Sequence, residues 1–381
     1  MRVLLLTPTL GVGGAELLTT TWAAGLKNRG HTAAVAYGRS DARRPLLHRH
    51  EIEAFRVSDR GPTLESLLEW HRAVRGVIGR FRPDVIHAQS ITTALIATLA
   101  GPRLPLLVTV HGIDEGDQRL AALILRGTGA RVTAVSEDSA FGITRRLLAP
   151  AVEVLAPGID VDAIVEAAAA PIADGPSRAP RYCCVARHDR AKGVDVLIRA
   201  FPDVRAAIPD ATLTLVGGGD ELEPNRRLAA GLGLGLGDSI SFVGVVANSA
   251  PYIRQADVIV LPSRREGLPI VALESFALGR PLVATAVGGT PSVVRDGQTG
   301  WLVPPEDPVA LAGAMIEAGE DAREAGARGD TGRAVVRESF TSAKTLDRIE
   351  RLLGGCAEEG AKRYLRRSPR RTPAARADTL V

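Results

Sequence analysis

Short runs of apolar residues alternate with longer segments of helical periodicity along the chain. In the first half, these runs predict strands at residues 3–6, 33–36, 84–87, 106–110, 131–135 and 153–155. The second half repeats the pattern, with strands predicted at residues 181–186, 212–216, 240–243, 258–261, 282–284 and 300–302. Because the runs are continuously apolar, the strands should be parallel and covered on both faces. Two such series predict two doubly wound α/β domains.

A stretch rich in proline and small residues separates the two series. We expect a first domain over residues 1–170, a linker over residues 171–180 and a second domain over residues 181–340. Two facing domains of this kind create one deep cleft lined by the carboxyl ends of their strands. A helix predicted at residues 341–360 could pack back on the first domain or stay with the second.

Charge is concentrated at one end of the chain. The net charge is +4, but residues 361–381 hold seven basic residues and one acid, so the rest is slightly acidic. This tail is expected to be disordered. A slightly acidic body with few aromatic residues argues against nucleic-acid binding. The tail and the basic segment at residues 39–50 leave two alternatives open, solvated loops or a weak peripheral contact with an anionic membrane.

The cysteines and apolar runs suggest where the protein works. Three cysteines make neither a disulfide framework nor a metal-ligand spacing, so we expect a reduced protein without a metal site. The N-terminal apolar run is too short for a signal peptide, and no run reaches the length of a membrane span. We therefore expect a cytoplasmic protein, with the inner face of the plasma membrane as a further option.

A glycine-rich loop follows the first predicted strand and opens a helix. Backbone N–H groups at Gly13 and Gly14 could hold an anion at the helix N-terminus, or the loop could be a simple tight turn. A dinucleotide fingerprint needs glycine where Glu16 stands and an acid after the second strand. NAD is thus disfavoured, and NADP bound through Arg39 fits poorly.

Two cations follow the first strand of the second domain. Arg187 and Lys192 lie between a strand end and a helix start, where a guanidinium and an ammonium suit a diphosphate. The alternative is a solvated charged loop. In the first domain, His111 ends a strand and should lie at the floor of the cleft.

Two glutamates flank the start of a later helix. Glu266 precedes the helix, and Glu274 lies one turn inside it among apolar residues, where a ribose diol would be a suitable partner. Ordinary caps and surface charge are the alternative interpretation. Free backbone N–H groups are expected at Leu268, Ile270 and Val271, whereas Pro269 has none to donate.

Together these segments resemble glycosyltransferase family 4, retaining enzymes with the GT-B fold of two Rossmann-like domains facing across a deep cleft. The resemblance spans nearly the whole chain short of the tail. The most specific part runs from the Glu266-x7-Glu274 pair to Gly300. The matching motifs are Gly13-Gly14-Ala15-Glu16, His111-Gly112, Pro157-Gly158-Ile159-Asp160, Arg187 with Lys192-Gly193, Glu266 with Glu274, Gly279-Arg280-Pro281, Gly288-Gly289-Thr290 and Asp296-Gly297.

The resemblance implies roles for the candidate residues. Arg187 and Lys192 would hold the donor diphosphate, Glu274 the ribose and Glu266 the transferred sugar. Backbone groups at Leu268, Ile270 and Val271 would contact sugar and phosphates, while His111 would lie beside the sugar and Gly13 and Gly14 near the phosphate. The nucleobase would lie near residues 243–246. Pro269 stands where many members have glycine, which removes one N–H donor.

The expected function is metal-independent transfer of a hexosyl or N-acetylhexosaminyl group, with retention, from a UDP- or GDP-sugar. No other cofactor is required. The acceptor is open and would be a hydroxyl of a small molecule, glycan or lipid-linked compound. Alternatives are a GT-B epimerase or phosphorylase, a non-catalytic nucleotide-binding module, and a GT-A transferase holding a metal through Asp160 and Asp162.

Overall fold

The computed structural model describes residues 1–11, 13–62, 65–112, 117–145, 150–172, 180–235 and 237–367, with side chains through residue 360. Two predicted segments lie largely outside these ranges, namely the linker, of which residues 173–179 are not described, and the tail predicted at residues 361–381, of which residues 368–381 are not described. Residues 361–367, which were expected to be disordered, instead continue the last helix. Within the described ranges, no helix is long and apolar enough to cross a membrane.

The first half folds around a seven-stranded parallel sheet of order β3-β2-β1-β4-β5-β6-β7. Its five inner strands are almost wholly buried because helices cover both faces, as the continuous apolar runs predict. The elements are β1 (Arg2–Thr9), α1 (Gly14–Asn28), β2 (Thr32–Arg39), α2 (Arg44–Arg49), β3 (Glu53–Arg56), α3 (Leu67–Phe81), β4 (Val85–Ala88), α4 (Ile91–Ala100), β5 (Leu106–Val110), α5 (Gln118–Thr128), β6 (Arg131–Ala134), α6 (Glu137–Thr144), β7 (Val152–Val154) and α7 (Val161–Ala167).

The second half forms a six-stranded parallel sheet of order β10-β9-β8-β11-β12-β13. A 3-10 helix at Arg190–Lys192 precedes its first α-helix. The elements are β8 (Arg181–Val185), α8 (Val194–Ala207), β9 (Thr212–Val216), α9 (Leu222–Gly231), β10 (Ile240–Gly244), α10 (Ala250–Gln255), β11 (Val258–Leu261), α11 (Ile270–Ala277), β12 (Leu282–Thr285), α12 (Thr290–Val293), β13 (Gly300–Val303), α13 (Pro308–Glu320), α14 (Ala322–Ser339) and α15 (Ser342–Arg367). Two doubly wound parallel domains confirm the predicted fold class.

Strand order reverses once in each sheet, and this places the cleft. In the first sheet the reversal lies between β1 and β4, and in the second between β8 and β11. Loops that leave the carboxyl ends of neighbouring strands diverge at such points and open a crevice. The loops after β1, β5, β8 and β11, which carry most of the predicted site residues, therefore converge.

The last helix crosses back to the first domain. Its residue Leu346 packs against Gly25 of α1, and a Cβ at Gly25 would lie 2.3 Å from a Leu346 methyl. Arg29 donates to Asp347 at 2.7 Å, and His31 Nε2 lies 2.8 Å from Glu350 Oε1. Helix α15 is thus tied to α1 by apolar packing and by ion pairs.

The start of α15 is stitched to the end of the first domain. Ile159 N donates to Phe340 O and Ser342 N donates to Ile159 O, both at 2.9 Å. A Cβ at Gly158 would lie 2.2 Å from the carbonyl oxygen of Thr341, so only glycine fits there. The chain therefore passes between the domains twice, and the second crossing is hydrogen-bonded to the segment that leads into the first.

Candidate active site

A cleft of about 1160 Å³ lies between the two domains and is lined by loops from both. The domains touch at its edges. A Cβ on Gly267 would lie 1.7 Å from the carbonyl oxygen of His111, and one on Gly14 would lie 3.2 Å from Ile270. Glycine at position 267 thus lets the backbone of the second domain reach the tip of β5 in the first.

Lys192 and Glu266 form a largely buried ion pair in the second domain. Lys192 Nζ donates to Glu266 Oε1 at 2.7 Å, and Ser263 Oγ donates to the same oxygen at 2.7 Å. The side chains are only 23% and 8% exposed. Since the ammonium carries three donors, two of them stay available to a ligand in the cleft.

Arg187 stands apart from this pair. Its guanidinium is 64% exposed and lies 3.0 Å from Asp189 Oδ2, while the Asp189 side chain also accepts a hydrogen bond from Lys192 N. Arg187 and Lys192 both line the cleft. The guanidinium of Arg187 and the ammonium of Lys192 both face the cleft, where their remaining N–H donors suit a diphosphate.

Glu274 projects from the first turn and a half of α11. Burial raises the pKa of Glu274 to about 7, and the nearby Arg43 guanidinium opposes this rise. Among the described residues its carboxylate accepts no hydrogen bond. A partly buried carboxylate without such a partner is costly and is well matched by a ligand that brings hydroxyl donors.

The start of α11 lies at the same place. Leu268, Ile270 and Val271 line the cleft, and Pro269 is the N-cap. The N–H groups of Ile270 and Val271 belong to the first helical turn and have no intrahelical acceptor. They can therefore donate to phosphate oxygens, with the positive end of the helix dipole behind them.

His111 rests on a buried polar cluster that the sequence did not reveal. Its Nε2 lies 2.9 Å from Gln89 Oε1, and its ring stacks on Trp22, which also stacks on the fully buried His87. Burial lowers the pKa of His111 to about 4, so the ring is neutral at pH 7. Sequence reasoning did not identify Gln89 or Trp22 as neighbours of His111.

The glycine loop carries its own acid. Helix α1 begins at Gly14 with Gly13 as N-cap, and the Glu16 carboxylate turns back so that a Cβ on Gly13 would lie 2.4 Å from it. Both glycines line the cleft. Gly13 and Gly14 are thus at the predicted place, with a carboxylate beside the N-terminus that a phosphate would have to avoid.

Arg43 is a cleft residue whose role sequence reasoning missed. It precedes α2, lines the cleft, and its Nε is buried without a hydrogen-bond partner. The nearby carboxylates are Glu16 of its own domain and Glu274 of the other, and they oppose the lowering of its pKa by burial. The only signal was its position in the basic segment at residues 39–50, which gives no information about a partner in another domain.

Asp160 and Asp162 do not form a metal site. Asp160 caps α7 by accepting from Ala163 N at 3.0 Å, and Asp162 pairs with Arg337 at 3.3 Å. Neither lines the cleft. Over the described ranges, no group of three or more metal-ligating side chains comes together. The two-domain GT-B fold also excludes the GT-A transferase, which the sequence analysis kept only as an alternative.

Comparison with known families gives two matches that divide the chain. Residues 12–163 match the model "Glycosyltransferase Family 4", and residues 179–321 match "Glycosyl transferases group 1". Together they cover both domains in the expected order.

Named relatives agree with these matches. The GDP-mannose-dependent alpha-(1-6)-phosphatidylinositol monomannoside mannosyltransferase of Mycolicibacterium smegmatis is 34% identical over 292 residues, which are 69% of this chain and 73% of the relative. The N-acetyl-alpha-D-glucosaminyl L-malate synthase of Bacillus anthracis is 28% identical over 361 residues, 89% of this chain and 93% of the relative.

Solved structures share the fold. Anabaena HepE in complex with UDP and glucose superposes with a TM-score of 0.79 at 21% identity, covering 93% of this chain and 99% of that one. WaaG, a glycosyltransferase involved in lipopolysaccharide biosynthesis, superposes with a TM-score of 0.72 at 16% identity, covering 93% and 100%. The chain belongs to glycosyltransferase family 4, has the GT-B fold and is an enzyme that transfers a sugar from a nucleotide sugar.

Proposed function

We propose that the protein moves a hexosyl group from a GDP- or UDP-hexose to a hydroxyl of an anionic acceptor, without a metal ion and with retention at the anomeric carbon. The observation that carries the donor half is that two cations, Arg187 and Lys192, line the same cleft as Glu274 and the start of α11. The relatives' names include a GDP-sugar donor, and UDP occupies the HepE structure.

The chemistry follows from where charge develops. Breaking the bond to the anomeric carbon leaves negative charge on the diphosphate and positive charge on the sugar. Arg187, Lys192 and the N–H groups of α11 stabilise the leaving diphosphate, as a metal would in other enzymes. Glu266 accepts hydrogen bonds from hydroxyls of the sugar. In the front-face route that the family suggests, the departing phosphate takes the acceptor proton as the acceptor attacks from the same side.

The acceptor half rests on Arg145 at the end of α6. Its guanidinium lines the cleft from the first domain, donates to Gln118 Oε1 at 3.2 Å and lies 5.7 Å from the Phe141 ring. Within the described part of the chain it pairs with no carboxylate. The relatives' names include phosphatidylinositol and L-malate, which carry a phosphate and carboxylates. A guanidinium in this position suits such a group.

Calorimetric titration tests the donor site. In EDTA, we expect GDP or UDP to bind to the purified protein, with ADP, dTDP and NADP⁺ weaker. Lys192→Ala should lower kcat by about 100-fold, since it removes a positive charge that stabilises the leaving diphosphate. Lys344→Ala, on the exposed face of α15, should leave kcat unchanged. Binding that appears only after a divalent metal is restored, or unchanged transfer in Lys192→Ala, would overturn the donor assignment.

Matched acceptors test the other half. Transfer should be faster to inositol phosphate than to inositol and faster to L-malate than to its diamide. Arg145→Met should raise the acceptor KM by about 10-fold or more, the loss of one charged hydrogen bond, with little change for the donor. Arg119→Met, on the exposed face of the neighbouring helix α5, is the control. Equal transfer to neutral and anionic acceptors would refute the acceptor proposal and leave the donor site standing.

A further inference from the structure

Arg264 joins three segments of the second domain. Its guanidinium forms a bidentate pair with Asp195 of α8 at 2.7 and 2.9 Å, donates to the carbonyl of Arg190 at 2.9 Å and donates through Nε to Glu306 at 2.6 Å. These bonds use four of its five N–H donors. Although Arg264 borders the cleft, it is thus committed to protein partners and not to a ligand.

The backbone reinforces this junction. Arg264 N and Arg265 N both donate to the carbonyl of Ala191, at 2.8 and 3.2 Å. A Cβ on Gly193 would lie 2.1 Å from the carbonyl of Pro262, so the two loops are in direct backbone contact. The loop after β11 and the 3-10 helix before α8 therefore form one interlocked unit, which we call the Arg264 clamp.

The clamp holds both members of the catalytic ion pair. Lys192 is the residue after Ala191, and Glu266 is two residues after Arg264. Their side chains meet at 2.7 Å directly beside the clamp. Hydrogen bonding to Arg264 keeps the pKa of Asp195 at about 2, so the clamp stays charged across the physiological range.

A strained residue completes the arrangement. Glu306, between β13 and α13, has a φ of 58°. This left-handed conformation is unfavourable for residues other than glycine and asparagine. Its carboxylate is the partner of Arg264 Nε. Glycine would relieve the strain but would remove this contact, and strain kept in this way is a feature of functional sites.

We propose that Arg264 is a positioning residue, which holds Lys192 at the distance from Glu266 that lets its free donors reach the donor β-phosphate. This proposal rests on the donor site proposed above. In this proposal the Arg264 clamp contributes to binding of the diphosphate as well as to folding. Removing Arg264 should therefore weaken ligands that have a β-phosphate and spare those that lack it.

Calorimetry with paired nucleotides separates these roles. In Arg264→Met, GDP and UDP should bind about 10-fold more weakly than in the wild type, whereas GMP and UMP should change by less than about twofold. Arg199→Met is the matched control, because Arg199 pairs with the same Asp195 from the exposed side. The double variant Lys192→Ala/Arg264→Met should bind GDP and UDP no more weakly than Lys192→Ala alone.

At Glu306, a substitution is available whose effect on binding cannot be attributed to misfolding. Glu306→Gly should keep or raise the melting temperature and still weaken GDP and UDP about threefold, whereas Glu306→Gln, which keeps the acceptor oxygen, should bind like the wild type. Unchanged diphosphate affinity in folded Arg264→Met, or an equal loss for mono- and diphosphates, would overturn the positioning role. A wild type that shows no preference for diphosphates would instead overturn the donor site itself.

Discussion

Replacing Glu274 by glutamine should change the stability of the protein in a pH-dependent way. Burial raises the pKa of Glu274 from its ordinary value of 4.5 to about 7. The folded state therefore binds this proton more tightly than the unfolded state. Its stabilising contribution is fully present below pH 4.5 and is lost as the pH rises to 7. Above pH 7 the ionised carboxylate costs about 3 kcal/mol, at about 1.4 kcal/mol per pKa unit.

Glutamine has no charge to lose, so its burial penalty is the same at every pH. The relief from removing the carboxylate is about 1 kcal/mol at pH 5 and about 3 kcal/mol at pH 8. The stability difference between Glu274→Gln and the wild type should therefore grow by about 2 kcal/mol between these pH values. For a domain of this size that corresponds to a relative rise in Tm of about 4–8 °C.

Thermal melts without nucleotide at pH 5, 6, 7 and 8 measure this difference. Glu223→Gln, the same substitution at an exposed position of α9, controls for the change in net charge. A difference in Tm between Glu274→Gln and the wild type that does not vary with pH would refute the argument that burial controls this carboxylate. So would an equal trend in the control.

Three further substitutions test the cleft. Gly267→Ala places a Cβ 1.7 Å from the His111 carbonyl and should push the two domains apart. The rate of sugar transfer should therefore fall by at least about 100-fold. Gly127→Ala, where a Cβ meets nothing within 4 Å, is the control and should leave the rate unchanged. Gln89→Met removes the partner of His111 Nε2 and should lower kcat about 10-fold or more with donor KM nearly constant, as measured by steady-state kinetics. Arg43→Met should move the pH midpoint of the Glu274 effect upward, because a cation that favours the ionised form is lost; melts over the same pH series would show no movement if the two groups are independent.

The fold could be predicted from the sequence because each buried strand is recognisable from its own few residues. Buried parallel strands require apolar residues at every position, and the runs around β1, β5 and β11 show this directly. The strand β3 was missed, since Glu53-Ala54-Phe55-Arg56 is a short edge strand with charged ends and a partly exposed pattern. Edge strands lack the second covered face on which the prediction depends.

The candidate site could be predicted from the sequence only where its charged residues lie together in one loop. Lys192, Glu266 and Glu274 stand out as charged residues beside strand ends and helix starts. Arg43 does not, because its meaning comes from a carboxylate more than 200 residues away in another domain. The assigned roles of these residues stay predictions until the titrations are made.

The chain passes between the two domains twice, and this has a consequence for folding during synthesis. Helix α15 completes the packing around α1, although the whole second sheet is synthesised between them. A ribosome releases residues in order, so the second domain has its full set of strands before the first has its last helix. The first domain must wait, with part of α1 uncovered, until Leu346 and its neighbours emerge. Truncation within α15 should therefore expose the start of the protein to proteases and leave its middle intact.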